Sequence, residues 1–143
     1  MTGTCVPAAP AGSSILIIDD EVHLRSLMTL VLEGHGYSCR SARDGRAGLA
    51  LLQAKPTDLV LLDYKMPVLD GPGFLAEARL RGFDTPVLLV TASPEARALA
   101  LEYGCAGVLP KPYGSRDLVV AVQAALASRH EGDGSLKAAR GSA

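Results

Sequence analysis

Five polar side chains stand where chemistry could be done: Asp19, Asp20, Asp63, Thr91 and Lys111. Each ends or closely follows a short aliphatic run: residues 15–18 before the acidic pair, 59–62 before Asp63, 87–90 before Thr91, and Val108 and Leu109 before Lys111. If these runs are parallel strands of one sheet, all five side chains converge at one edge. Three carboxylates in one crevice repel one another unless a cation joins them or one takes up a proton. An all-oxygen set with room for water and a phosphate suits Mg²⁺. A carboxylate can also act as a nucleophile and form an acyl phosphate, with a metal and a lysine neutralising the charge on the transferring group. Lys111 supplies such a point charge, and the Thr91 hydroxyl can hydrogen-bond a phosphoryl oxygen. The set reads as metal-assisted phosphoryl chemistry. Taken singly, each residue has a plainer role. An acidic pair after a strand can face a helix N-terminus, an Asp can cap, a Thr can shape a turn and a Lys is usually solvated surface. Joint placement at consecutive strand ends is what favours the chemical reading.

The elements that must position these residues are legible as an alternation. Residues 15–18 form a continuous β-branched and aliphatic run, as in a strand buried on both faces. Leu24, Leu27, Met28 and Val31 then follow i, i+3, i+4, i+7, a helical stripe, which Gly34 and Gly36 close. Residues 37–42 are a less apolar strand, expected nearer an edge. Asp44 is placed to cap a helix carrying Leu49 and Leu52 that stops before Pro56. After the run 59–62, Phe74, Leu75 and Ala78 mark a helix ending around Gly82. Pro86 introduces the strand 87–90. Ser93 is expected to cap the next helix with Pro94 at its first position, and that helix ends near Gly104. A short strand at 107–109 follows, with Pro110 suited to a sheet edge. Ser115 is expected to cap a last helix with the stripe Leu118, Val122, Ala125 and Leu126. Five βα units with short loops predict an α/β fold, a parallel sheet covered by helices on both faces. Ligands of such sheets bind at the carboxyl ends of the strands, near the switch in strand order.

Bulk properties narrow the function classes. The 143-residue chain suits one domain, and 48% hydrophobic residues provide a core built from Leu, Val and Ala, since aromatics are 4%. With 14 basic and 15 acidic residues, net charge −1 and no basic block, nothing marks a nucleic-acid surface. Aliphatic runs fall far short of the ~18 residues that indicate a membrane span. The N-terminus lacks the basic start and apolar stretch of a secretory signal. Cys5, Cys39 and Cys105 form no metal spacing and read as reduced thiols of a cytoplasmic protein, Cys5 being the most reactive. Residues 1–13 read as a disordered N-terminal tail, 14–128 as the folded domain and 129–143 as a flexible C-terminal tail.

The chain resembles the receiver domain of bacterial two-component response regulators. The resemblance rests on Ile-Leu-Ile-Ile-Asp-Asp-Glu at 15–21, Leu-Leu-Asp-Tyr-Lys-Met-Pro-Val-Leu-Asp-Gly at 61–71, Val-Thr-Ala at 90–92 and Leu-Pro-Lys-Pro-Tyr at 109–113. It implies a flavodoxin-like, doubly wound five-stranded sheet in the order 2-1-3-4-5. It implies that Asp63 accepts a phosphoryl group from a sensor histidine kinase, and that Asp19, Asp20, Asp63 and the backbone carbonyl of Lys65 hold Mg²⁺. Thr91 would turn inward to the phosphoryl group, Lys111 would pair with it, and the bond before Pro112 would be cis. The resemblance further implies a switch read out by the fourth helix, fifth strand and fifth helix, toward a downstream protein, a histidine phosphotransfer protein or a second protomer.

Three features are particular to this sequence. Val108 stands three residues before Lys111, where the family usually places a Tyr or Phe that changes rotamer with the Thr. The stretch from Thr91 to Lys111 is slightly short, so a trimmed fourth helix is expected. Lys65 sets a long basic side chain two residues after the acceptor, where it could modulate phosphoryl lifetime. No effector-domain pattern follows residue 128, so a stand-alone receiver is expected, a signalling switch and not a turnover enzyme. A phosphatase of the haloacid dehalogenase type is disfavoured, because it needs two Asp separated by one residue and here they are adjacent. A phosphorylation-independent interaction module on the same fold is the remaining alternative.

Overall fold

The computed structural model describes the backbone of residues 12–142 and the side chains of residues 12–128. Five strands alternate with five helices: β1 (Ser14–Ile18), α1 (Val22–Glu33), β2 (Ser38–Ala42), α2 (Gly45–Ala54), β3 (Leu59–Leu62), α3 (Gly71–Leu80), β4 (Val87–Thr91), α4 (Ala96–Tyr103), β5 (Gly107–Pro110) and α5 (Ser115–Ser142). All pairings are parallel, in the order β2-β1-β3-β4-β5. The expected sheet is therefore the observed one, and the order reverses between β1 and β3.

The central runs are buried because both sheet faces are covered. Successive side chains of a strand point to opposite faces. Ile15, Ile17, Leu59, Leu61, Leu88 and Val90 accordingly pack with Met28 and Leu32 of α1 and Leu118 and Val122 of α5. Leu16, Ile18, Val60, Leu62 and Leu89 pack with Leu49 and Leu52 of α2, Phe74 and Leu75 of α3, and Leu99 of α4. The edge strand β2 is only partly covered, as its polar sequence Ser-Cys-Arg-Ser-Ala requires, and β5 forms the other edge, ending at Pro110.

Most signals used to place the helix ends hold. The Asp44 carboxylate accepts from the Ala47 N–H at 2.8 Å, Gly82 takes φ +84°, and Gly104 ends α4 in the left-handed conformation. The start of α4 differs. The helix begins at Ala96, and Ser93 does not cap it: the Ser93 hydroxyl accepts from the Glu95 N–H at 3.3 Å and donates to the Glu95 carboxylate at 2.8 Å. Local hydrogen bonding draws Ser93 and Pro94 into a turn, leaving an α4 of eight residues.

At the N-terminal side, Gly12 donates to the Gly36 carbonyl and Ser13 accepts from Ser38. These two residues of the expected 1–13 tail therefore extend the β1–β2 pairing; residues 1–11, with Cys5, lie outside the described ones. At the other end, α5 continues past residue 128, where the domain was expected to stop, to Ser142; the side chains from 129 on lie outside the described residues.

Two predictions follow from the packing. Phe74 is wholly buried, so Phe74→Ala should cost about 3–5 kcal/mol, read from the denaturant midpoint; a loss under about 1 kcal/mol would show that this core is not close-packed. Burial pushes the thiols of Cys39 and Cys105 up to about 11, from an ordinary value of 9.0. Near neutral pH their thiolate fraction is then about a hundredfold below that of an open thiol. Brief iodoacetamide treatment should leave both peptides unmodified until the chain is denatured, whereas rapid native labelling would contradict the burial. Because the folded values are raised, the stability linked to these thiols is complete below about 9 and is lost as pH rises through about 11.

Candidate functional site

The switch in strand order brings the ends of β1 and β3 side by side. Asp63 N–H donates to the Ile18 carbonyl at 3.0 Å and Asp19 N–H to the Ala42 carbonyl at 3.1 Å, so both residues continue the ladder one step past their strands. Side-chain alternation then decides which face each residue takes. Asp19 continues Ile15 and Ile17, Asp63 continues Leu59 and Leu61, and Lys111 continues Leu109. All three follow the face covered by α1 and α5.

Their side chains meet. The Lys111 ammonium donates to Asp19 Oδ2 at 2.9 Å and to Asp63 Oδ2 at 3.1 Å. The Asp19 side chain is 2% exposed, that of Asp63 11% and that of Lys111 19%, so solvent screens this bridge far less than a surface pair. The second oxygen of each carboxylate is held by backbone: Asp19 Oδ1 accepts from the Glu21 N–H at 2.9 Å, and Asp63 Oδ1 from the Tyr64 N–H at 2.7 Å. Arg25 donates to the Asp19 carbonyl at 2.8 Å. These backbone and Arg25 contacts were not visible in the motif. Arg25 sits six residues after Asp19, a reach that only the geometry of the β1–α1 turn reveals, and main-chain donors have no sequence signature.

Asp20 is exposed, yet one oxygen from each of Asp19, Asp20 and Asp63 lies within 4.8 Å of the others. Three hard carboxylate donors at this spacing, open to water on the Asp20 side, fit an octahedral cation that keeps several waters. Burial is the foremost influence on Asp19 and raises its carboxyl above the ordinary 3.8, against the Glu21 N–H and Lys111, which lower it. Burial also works to lower Lys111, but hydrogen bonds and charge from Asp19 and Asp63 outweigh it and hold the ammonium above its usual value.

Thr91 and Val108 stand apart from this cluster. Thr91 follows Val87 and Leu89 onto the face of α2, α3 and α4, and its hydroxyl accepts from the Ser93 N–H at 3.2 Å. Val108 pairs with Leu89 and packs on the same face, with Ala100 and Tyr103 also against that cluster. Thr91 is joined to Lys111 through the backbone, its carbonyl accepting the Lys111 N–H at 3.1 Å. The Lys65 side chain is exposed. The Lys111–Pro112 peptide bond is cis, and the adjoining Tyr113 hydroxyl is buried without a hydrogen-bond partner.

Comparison with known proteins places this architecture. The family model of the response regulator receiver domain matches residues 15–123. The transcriptional regulatory protein CpxR of Klebsiella pneumoniae is 40% identical over 120 residues, covering 82% of this chain and 51% of that protein. The response regulator MprA of Mycolicibacterium vanbaalenii is 36% identical over 122 residues, covering 84% and 53%. Among solved structures, the chemotaxis response regulator CheY4 of Vibrio cholerae superposes with a TM-score of 0.75 at 31% identity, over 81% of this chain and 100% of that one. A CheY-like receiver domain protein from Methanospirillum hungatei gives 0.78 at 27% identity, over 85% and 98%. The chain spans about half the length of the curated relatives it matches. Fold and pocket together define a doubly wound signalling domain. The chain belongs to the response regulator receiver domain family, the phosphorelay signalling modules of two-component systems. Among the described residues, no helix is long and apolar enough to cross a membrane.

Removing the lysine tests the electrostatics. In metal-free protein the folded Asp19 value lies above the unfolded one, so its linked stability is greatest in acid and falls as pH rises through that interval. Lys111→Met removes a group that lowers Asp19, so the interval should extend to higher pH. Melting temperature against pH in EDTA would show this, and superimposable profiles for variant and wild type would refute the bridge.

Proposed function

We propose that this receiver is a Mg²⁺-dependent switch in which Asp63 accepts a phosphoryl group from a sensor histidine kinase. The observation that carries the reading is the Asp63 carboxylate itself, bridged by Lys111 to Asp19 and sharing a cation-sized cluster with Asp19 and Asp20. A carboxylate oxygen of Asp63 would attack the phosphorus of a phosphohistidine. The O–P bond forms, the P–N bond breaks, and the imidazole leaves with the bonding pair and takes up a proton. Asp19, Asp20, Asp63 and the carbonyl of Lys65 would hold Mg²⁺, which supplies charge neutralisation at the phosphoryl oxygens. Lys111 already contacts Asp63 and would turn its charge to the incoming phosphoryl oxygens. The Thr91 hydroxyl would leave the Ser93 N–H to meet them. The unit would be the stretch 14–128, acting on itself and not as a turnover enzyme, in the cytoplasm.

Output would run through α4, β5 and α5, to a downstream protein target, to a histidine phosphotransfer protein or to a second protomer on that face. No direct contact with nucleic acid or membrane is assigned to this chain, whose net charge is −1.

The test is labelling by a small phosphodonor such as phosphoramidate. Wild type should gain one phosphoryl group only with Mg²⁺, and Asp63→Asn none. A labelled Asp63→Asn protein would end the assignment of Asp63. Wild type that binds partners identically with and without beryllofluoride, and as Asp63→Asn does, would establish the phosphorylation-independent module instead.

A further inference from the structure

Residues 64–70 carry the chain from Asp63 to α3 and include Lys65, whose side chain points to solvent while its backbone lies beside the carboxylate cluster in sequence. The loop is tied down at its far end. Gly71 donates to the Tyr64 carbonyl at 2.7 Å, and a Cβ there would stand 2.6 Å from the Asp63 carbonyl oxygen. In its middle the loop is strained. Val68 has φ +69°, and the Leu69 N–H donates to the Pro67 carbonyl at 2.7 Å, closing a three-residue turn of the rare kind. A β-branched residue adopts this conformation only where the surroundings over-determine it. Val68 does not supply the compensation itself, since its side chain is 77% exposed.

The compensation comes from α2. Gly45, the first residue of that helix, donates its N–H to the Leu69 carbonyl at 2.9 Å. This uses one of the donors that a helix N-terminus leaves free. The approach is so close that a Cβ on residue 45 would lie 2.5 Å from the Leu69 oxygen and 3.0 Å from its Cβ. Leu69 also packs against the apolar cluster that contains Leu49 of α2 and Phe74 of α3. With Gly71 holding the loop's base to Tyr64, a push at Leu69 cannot be absorbed beyond the loop. It must be taken up by residues 65–68.

We propose that Gly45 is a positioning residue for the cation site: its N–H, by clamping the Leu69 carbonyl, holds the strained turn at Val68 and thereby the backbone of Lys65 beside Asp63. The inference rests on the proposal that the Lys65 carbonyl ligates Mg²⁺. It adds a residue on a different helix, with no side chain of its own, to the determinants of affinity.

Mg²⁺ titration calorimetry, paired with melting temperature in EDTA, tests the clamp on four variants. Gly45→Ala and Val68→Pro should each weaken Mg²⁺ binding by about tenfold, the lower end for loss of a group that orients a ligand. Proline cannot adopt φ +69°, and the exposure of Val68 leaves the fold intact should Gly45→Ala fail to fold. Val68→Gly accepts the turn at no steric cost and should keep wild-type affinity. Gly48→Ala is the structural control: its Cβ would press on the Ile18 side chain from the same helix, away from the loop, so it should lower the melting temperature with Mg²⁺ affinity unchanged. Unchanged affinity in folded Gly45→Ala or in Val68→Pro would overturn the clamp, as would an equal loss in Gly48→Ala. Wild type that binds no Mg²⁺ would instead overturn the parent reading, and the clamp's consequence with it.

Discussion

The ammonium of Lys111 between the carboxylates of Asp19 and Asp63 is the contact on which the pocket depends. Two acids at the ends of neighbouring strands are forced together by the ladder, not by attraction, and their mutual repulsion grows as water is excluded. The lysine converts that repulsion into two charge-assisted hydrogen bonds of 2.9 and 3.1 Å. It does so from the far side of the sheet order, since β5 is separated from β3 by β4. The link back to β4 is the Lys111 N–H donating to the Thr91 carbonyl. With three carboxylates against one ammonium the pocket keeps two negative charges in excess, and Asp20 carries its share on the exposed side. That leftover charge faces solvent, where a hydrated cation can approach without first being stripped of all its water.

Parity along the strands divides this site into two halves. Asp19, Asp63 and Lys111 follow the odd-numbered core residues toward α1 and α5, whereas Thr91 follows Val87 and Leu89 toward α4. The carboxylate–lysine cluster and the Thr91 hydroxyl therefore sit on opposite faces of the same sheet edge. A change at Asp63 that recruits the Thr91 hydroxyl across the sheet would act on the oxygen that now accepts the Ser93 N–H. Ser93 belongs to the turn that precedes α4, and α4 is short, so the turn has few helical hydrogen bonds resisting its movement.

Much of this was legible in the residues. Buried parallel strands announce themselves as short continuous aliphatic runs, and 15–18, 59–62 and 87–90 are such runs. Polar residues that interrupt them at a common end mark the ligand edge of the sheet. Asp44 and Gly104 were legible because their roles are local: a cap three residues from its donor and a left-handed helix end. What was not legible was set by competition or by distance. Ser93 has the chemistry of a cap, but Glu95 offers it a nearer partner and the helix starts later. The pairing of Gly12 with Gly36 and of Ser13 with Ser38 depends on strand register across 24 to 25 residues, which composition cannot encode. The backbone donors to Asp19 and Asp63 depend on turn geometry alone.

Val108 bears on how the two halves communicate. On the α4 side of β5, an aromatic ring would have a swinging lever arm beside Thr91. A valine has one stiff torsion and no reach. It packs where it is, on the cluster shared by Leu89, Leu99 and Tyr103. Under the proposed switch, movement of Thr91 on this chain would be transmitted by displacement of backbone and packed helix, through the Ser93 turn into α4, and not by rotation of the Val108 side chain. Tyr103, at the other end of that helix, is stacked beneath Arg79 of α3 at 4.6 Å. A shift of α4 would thus be resisted at its C-terminus by α3 and at its N-terminus by Ala96, which is buried in the same cluster although that end lacks a side-chain cap.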